Sequence, residues 1–191
     1  MKVLAANGDI TKFDGDAIVN AANVVMLGGG GVDGAIHRAA GDQLSRWIRD
    51  NVPAGKFEVR CPTGDAVITP GFYLKAKHVI HTVGPMFHDS PTARNVVYAG
   101  EIAERSLLKD ANPRDLLKKS ITSCMKMADA NDIRTMAMPA ISCGVFGCTV
   151  PVFTKILHEV IRENDWKLEK LYVILFQKWE YTEFKQTWKI L

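Results

Sequence analysis

Two hydrophobic periods alternate along nearly the whole chain, and no other feature of the sequence limits its folding options so strongly. Short β-prone apolar runs occur at Lys2–Ala6, Asp16–Ala22, Asp65–Thr69, His78–Val83, Thr135–Ala140 and Leu171–Phe176. Between them lie segments of helical period. One begins near Asp33 and runs through Ile36 and Ala39, and a second follows Gly41 with Leu44, Trp47 and Ile48. Residues 92–131 read as helical with a break at Asn112-Pro113, and Leu117, Ile121, Cys124 and Ala128 share one face of the second part. Thr149–Arg162 is helical, and the chain closes with an amphipathic helix carrying Tyr181, Phe184, Trp188 and Leu191. Strands and helices in alternation pack as a sheet covered by helices on both faces. The sequence therefore predicts an α/β protein, a three-layer α/β/α sandwich around a central mixed, mostly parallel sheet. In such sheets ligands bind beyond the carboxyl ends of the strands.

No linker, internal repeat or low-complexity segment interrupts the 191 residues, so they read as a single domain, 1–191. A hydrophobic content of 47% with a net charge of only +3 excludes an intrinsically disordered chain. No window reaches the roughly 20 apolar residues of a membrane helix. The apolar stretch after Met1 is too short for a signal peptide, so a soluble, cytoplasmic protein is expected. Lysine and arginine form no dense block, which argues against a nucleic-acid track. Cys61, Cys124, Cys143 and Cys148 form no Cys-x-x-Cys pair and have no histidine at ligand spacing. No metal site is expected, and the thiols read as reduced.

Four segments carry candidate chemistry. Gly28-Gly29-Gly30-Gly31-Val32-Asp33-Gly34 joins a strand to a helix. Consecutive glycines let backbone N–H groups converge, and the helix N-terminus adds its positive end, a combination suited to a phosphate or diphosphate. The plainer alternative is a flexible connector with Asp33 as N-cap. Ile141-Ser142-Cys143-Gly144-Val145-Phe146-Gly147 repeats the device after another strand, against the alternative of an ordinary βα turn. In Val19-Asn20-Ala21-Ala22-Asn23, Asn20 reads as a buried structural amide satisfying backbone groups of neighbouring loops. Asn23 suits either a sugar hydroxyl or a turn. Asp9, in Gly8-Asp9-Ile10-Thr11, suits an exocyclic amine such as adenine's, with the Ile10 N–H on a ring nitrogen, or else a local Asx turn.

Together these segments resemble the macro domain family, and its MacroD-type ADP-ribosyl-hydrolase branch most closely. Supporting stretches are Ile18–Asn23, Gly28–Ala40, Cys61–Ala66, His78–Pro85 and Pro139–Ser142, and the likeness spans residue 3 to about 176. The resemblance implies a pocket for ADP-ribose. Asp9 and Ile10 would take adenine, and Phe176 would pack against adenine or its ribose. Gly30, Gly31 and Val32 would face the diphosphate from one loop, and Ser142, Gly144, Val145 and Phe146 from the other. Asn23 would orient the distal ribose, and Asp33 would polarise a water there or stabilise developing positive charge. His37, one turn after Asp33, reads as a structural support for the loop rather than a base. Cys143 replaces the family's common Thr, and Cys148-Thr149 replaces an aromatic–Pro pair. Residues 86–113 are long for the family and read as a surface insertion or a partner contact.

The implied activity removes mono-ADP-ribose from acidic side chains of proteins, with deacetylation of O-acetyl-ADP-ribose as a related reaction and no cofactor. Nucleic acid enters only as a possible ADP-ribosylated substrate. The competing class is a non-catalytic reader that binds ADP-ribosylated partners, and Asp33 within Gly-Val-Asp-Gly favours the enzyme.

Overall fold

A computed structural model describes residues 1–87, 102–103 and 106–191. Six strands form one sheet: β1 (Lys2–Asn7), β2 (Ala17–Ala21), β3 (Ala66–Pro70), β4 (His78–Thr82), β5 (Thr135–Met138) and β6 (Lys170–Leu175). Their order is β1-β6-β5-β2-β4-β3. Every neighbouring pair is parallel except β3 with β4, which is antiparallel. The five longer helices among the described residues are α1 (Gly31–Ala40), α2 (Asp42–Asn51), α3 (Pro113–Ala130), α4 (Val150–Glu163) and α5 (Lys178–Lys189). This is the sandwich that the alternating pattern predicts, with an antiparallel edge making the sheet mixed.

Because side chains alternate across a strand, the sheet feeds two cores. Ala17 and Val19 of β2, Met136 and Met138 of β5, and Leu171, Val173 and Leu175 of β6 face α3, α4 and α5. Ile18, Val79 and Ala137 face the opposite way, toward Ile36 of α1 and Leu44 and Ile48 of α2. Leu117, Ile121, Cys124 and Ala128 are fully buried on α3, as their spacing requires.

Local chemistry sets the helix ends. Asn112 caps α3 by accepting from Arg114 N at 2.9 Å, and Pro113 occupies the first turn, where no N–H is needed. Gln177 and Glu180 form a reciprocal capping box at the start of α5. Asp16, just before β2, gathers the start of β5: its Oδ2 accepts from Arg134 N at 3.1 Å and Thr135 N at 2.9 Å, while Lys77 Nζ reaches Oδ1 at 2.8 Å.

Some sequence expectations shift. The strand foreseen over Leu171–Phe176 ends at Leu175, leaving Phe176 outside the ladder and 73% exposed. Tyr172 and Ile174 are only half-buried, so the run is not equally covered on both faces. The helix foreseen near Asp33 starts at Gly31. Of the region 86–113 and the first part of the 92–131 helix, residues 88–101, 104 and 105 lie outside the described residues. Among the described residues, no helix is long and apolar enough to cross a membrane.

Candidate active site

A cleft of about 550 Å³ opens beyond the carboxyl ends of β1, β5 and β6. Gly8, Asp9 and Ile10 line it after β1, Pro139 and Ala140 after β5, and Phe176 after β6. Gly31, Val32, Ala35 and Arg38 of α1 form one wall, and Gly144 of the second loop contributes as well. The structure thus brings Asp9, Ile10, Gly31, Val32, Gly144 and Phe176 to one cavity. Arg38 and Glu180 line it too, and sequence reasoning had not singled them out. Gly30 and Val145 are exposed, and Phe146 lines a separate, smaller cavity of about 320 Å³ with Gly84 and Phe87.

Asp9 shows the local turn foreseen as the plainer of its two readings. Its Oδ1 accepts from Thr11 N at 2.9 Å and Thr11 Oγ1 at 2.7 Å, the local turn. Asp9 itself lines the cleft. Gly30 caps α1 without any side-chain hydrogen bond, so the first N–H groups of the helix, from Gly31 and Val32 onward, present unpaired donors beside the cleft. The second loop folds as successive turns, Cys143 N to Ala140 O, Gly147 N to Gly144 O and Cys148 N to Ser142 O. Ser142 sits buried in the left-handed region (φ 64°), with its Oγ against Gly84 and no hydrogen-bond partner.

Asn23 holds the glycine loop in shape. Its Oδ1 accepts from Val25 N at 3.1 Å and Met26 N at 2.9 Å, and its Nδ2 donates to Gly28 O at 3.0 Å. The turn reading is therefore realised. A Cβ placed on Gly29 would lie 3.2 Å from Asn23 Nδ2 and 2.9 Å from Asp33 Oδ2. Both groups therefore face the same small space, which only a glycine leaves open.

Asp33 corrects the sequence reading in one respect. Gly30, not Asp33, is the N-cap; Asp33 is the third residue of α1, and its side chain turns inward. It is 4% exposed, and its Oδ1 accepts from Asn20 Nδ2 at 2.7 Å. Asn20 is fully buried as foreseen, but its partners are side chains, Asp33 and His81, rather than loop backbone. Burial pushes the Asp33 carboxyl up from its ordinary range, opposed by the Asn20 hydrogen bond and by His37. Asp33 Oδ2 is buried without a partner. His37 packs against Gly28, as a loop support should, and binds Ser45 Oγ through Nδ1 at 3.1 Å. Its Nε2 lies 3.4 Å from Asp33 Oδ1 without a hydrogen bond. Burial pulls the imidazole down, against the pull of the carboxylate. His81, within the β-prone run His78–Val83, is fully buried behind Asn20. A histidine in an apolar strand flanked by Ile80 and Thr82 was the available signal. Among the described residues, no three His, Cys, Asp or Glu side chains gather where they could hold a metal ion.

Fold and cleft define a class, an α/β/α domain with a cleft lined by two strand-to-helix loops. The profile of the Macro domain matches residues 19–157, and the chain belongs to the macro domain family. A macro domain-containing protein of Xanthomonas campestris pv. campestris is 40% identical over 167 residues, covering 87% of this chain and 81% of that protein. The O-acetyl-ADP-ribose deacetylase of Salmonella gallinarum is 47% identical over 143 residues, 73% of this chain and 66% of that protein. Among solved structures, the Oceanobacillus iheyensis macrodomain with ADP superposes at a TM-score of 0.76 with 32% identity, covering 97% of this chain and 89% of that one. A Trypanosoma brucei macrodomain in complex with ADP-ribose gives 0.75 and 31%, covering 96% and 68%.

Proposed function

We propose that this macro domain binds ADP-ribose in the cleft and hydrolyses ester bonds carried on its distal ribose. The substrates are O-acetyl-ADP-ribose and proteins mono-ADP-ribosylated on acidic side chains. Adenine lies against Asp9, Ile10 and Phe176. The diphosphate accepts from the free N–H groups at the start of α1 and from the loop containing Gly144, whose dipoles need no reorganisation on binding. The distal ribose then reaches the space between Asn23 and Asp33.

The observation that carries the enzymatic reading is the state of Asp33. A reader module needs only donors for the ligand, whereas this chain buries a carboxylate with one oxygen unpartnered beside the glycine loop. A carboxyl raised by burial is suited to take or orient a proton of an attacking water. It also stabilises positive charge developing on the sugar if the anomeric bond is the one that breaks. The relatives support the choice: one is named a deacetylase of O-acetyl-ADP-ribose, and a structural neighbour holds ADP-ribose.

The experiment offers the protein O-acetyl-ADP-ribose and, separately, a glutamate-linked mono-ADP-ribosylated protein. Release of acetate in the first and of ADP-ribose in the second is the expected result. Tight ADP-ribose binding with neither release would make it a reader.

A further inference from the structure

Behind Asp33 the buried polar groups continue across three strands, β2, β4 and β3, and each hydrogen bond fixes the direction of the next. Thr69 Oγ1 lies 3.1 Å from Pro70 O. A carbonyl only accepts, so the hydroxyl proton is committed there. Thr69 Oγ1 also lies 3.1 Å from His81 Nε2 and must accept from it, which places the ring proton on Nε2. His81 is wholly buried, and burial holds its imidazole down at about 3, so the ring is neutral and Nδ1 carries a bare lone pair. That lone pair stands 3.0 Å from Asn20 Nδ2 and accepts one of its protons. The amide's second proton goes to Asp33 Oδ1 at 2.7 Å.

We propose that Thr69 and His81 are positioning residues that lock the Asn20 amide with its NH2 toward Asp33, making Oδ1 a permanent acceptor and leaving Oδ2 as the oxygen that acts on the ligand. The part concerning the ligand rests on the function proposed above; the lock itself does not. In the reverse orientation Asn20 Oδ1 would face both the His81 lone pair and the carboxylate, so the two-sided arrangement excludes it. The lock also explains a cost that the structure bears: Asn20 Oδ1 is buried without a partner, a penalty acceptable only if the NH2 end must point where it does. His37 is the titratable group that faces the Asp33 end, 3.4 Å from Asp33 Oδ1 and with its ring centroid 6.2 Å from that of His81.

The test reads the lock directly, without turnover. Carbon-13 titration of the Asp33 carboxyl and nitrogen-15 shifts of the His81 ring are measured in the parent, His81→Leu and His81→Asn. The parent ring is expected to stay the neutral Nε2–H tautomer between about pH 5 and 8. In His81→Leu the amide is freed to turn, a protonated Asp33 gains an acceptor, and its midpoint rises by about half to one pH unit. In His81→Asn, Oδ1 stands near the lost Nδ1 acceptor and the midpoint returns toward the parental value. The acid limb of the kcat profile moves with the midpoint in His81→Leu while KM holds. Should His81→Leu not fold, Thr69→Val carries the test, because loss of the Oγ1 acceptor lets the ring populate both tautomers and again raises the Asp33 midpoint. An Nδ1–H ring in the parent, or an unmoved Asp33 midpoint in a folded His81→Leu or Thr69→Val, overturns the proposal. A parent that releases neither acetate nor ADP-ribose refutes the proposed function instead, and the two spectroscopic readings still decide the lock.

Discussion

Asp33 occupies a position that the sequence gives two possible meanings, helix cap or reacting carboxylate, and its burial at 4% exposure decides against the first. A cap faces the first-turn N–H groups, whereas this side chain hydrogen-bonds Asn20 in the core. Substituting it by alanine would leave the Asn20 amide unpaired and confuse stability with catalysis. Asp33→Asn preserves shape and the Oδ1 acceptor while removing the charge. This variant should lose about 10²–10⁴-fold in turnover, the usual scale for an acid–base group, with ADP-ribose affinity changing far less, because the ground-state sugar carries no developing charge. Single-turnover kinetics beside calorimetric titration with ADP-ribose check both halves. Parental turnover in a folded Asp33→Asn protein would remove the carboxylate from the mechanism.

At the scale of elements, α1 and the glycine loop are one object. A Cβ on Gly34, in the first turn of α1, would collide with the carbonyl oxygen of Gly29 and stand 3.0 Å from Arg38 Nη1. A backbone carbonyl cannot move aside as a flexible side-chain end can. Gly34→Ala should therefore displace the loop, and ADP-ribose affinity should fall by roughly tenfold or more while the two cores stay intact. Calorimetric titration together with an unchanged far-ultraviolet dichroism spectrum tests it. On the opposite side of the sheet's strand starts, Asp16 ties β2 to β5. Its neighbours, Lys77 first, hold the carboxyl down from 3.8 to about 2. A carboxyl depressed by folding stabilises the native state above its unfolded pKa, and that contribution is lost as pH falls through the folded one. Asp16→Asn should thus melt below the parent at neutral pH, and the gap should close between about pH 4 and 2. A gap independent of pH in melting curves over that range would contradict the assignment.

For the whole molecule, the cleft draws on the ends of three strands and the start of α1, so a ligand filling it braces both halves of the sandwich. ADP-ribose should raise the melting temperature in proportion to the logarithm of its concentration, by linkage to the folded state. At about 100 times Kd the gain is ~2.7 kcal/mol. Asp9→Ala removes an acceptor for the adenine amine and should weaken binding by roughly 1–3 kcal/mol, shifting the thermal response to correspondingly higher ligand concentration. A differential scanning titration of the two proteins measures this, and identical curves would place adenine elsewhere.

The layer architecture and the loops that line the cleft were legible in the sequence because they depend on local rules. Periodicity decides which face of α3 is buried, Asn112-Pro113 starts a helix, and strings of glycine between a strand and a helix mark a backbone that must approach something closely. The family likeness was legible for the same reason, since its motifs are short and contiguous. The inward turn of Asp33, the part Asn20 plays and the presence of His81 were not. These depend on β2 pairing with β4, which sets Asn20 opposite His81, and on β4 pairing with β3, which brings Thr69 to the far side of the ring. No spacing along the chain encodes contacts between residues 13, 61 and 12 positions apart. The same holds for the end of β6: Phe176, placed at the pocket by the family likeness, lies outside the ladder because the strand stops at Leu175. Local physics determined what the elements are; the register of the assembled sheet decided which polar side chains meet, because hydrogen bonds across strands form only once the strands are paired.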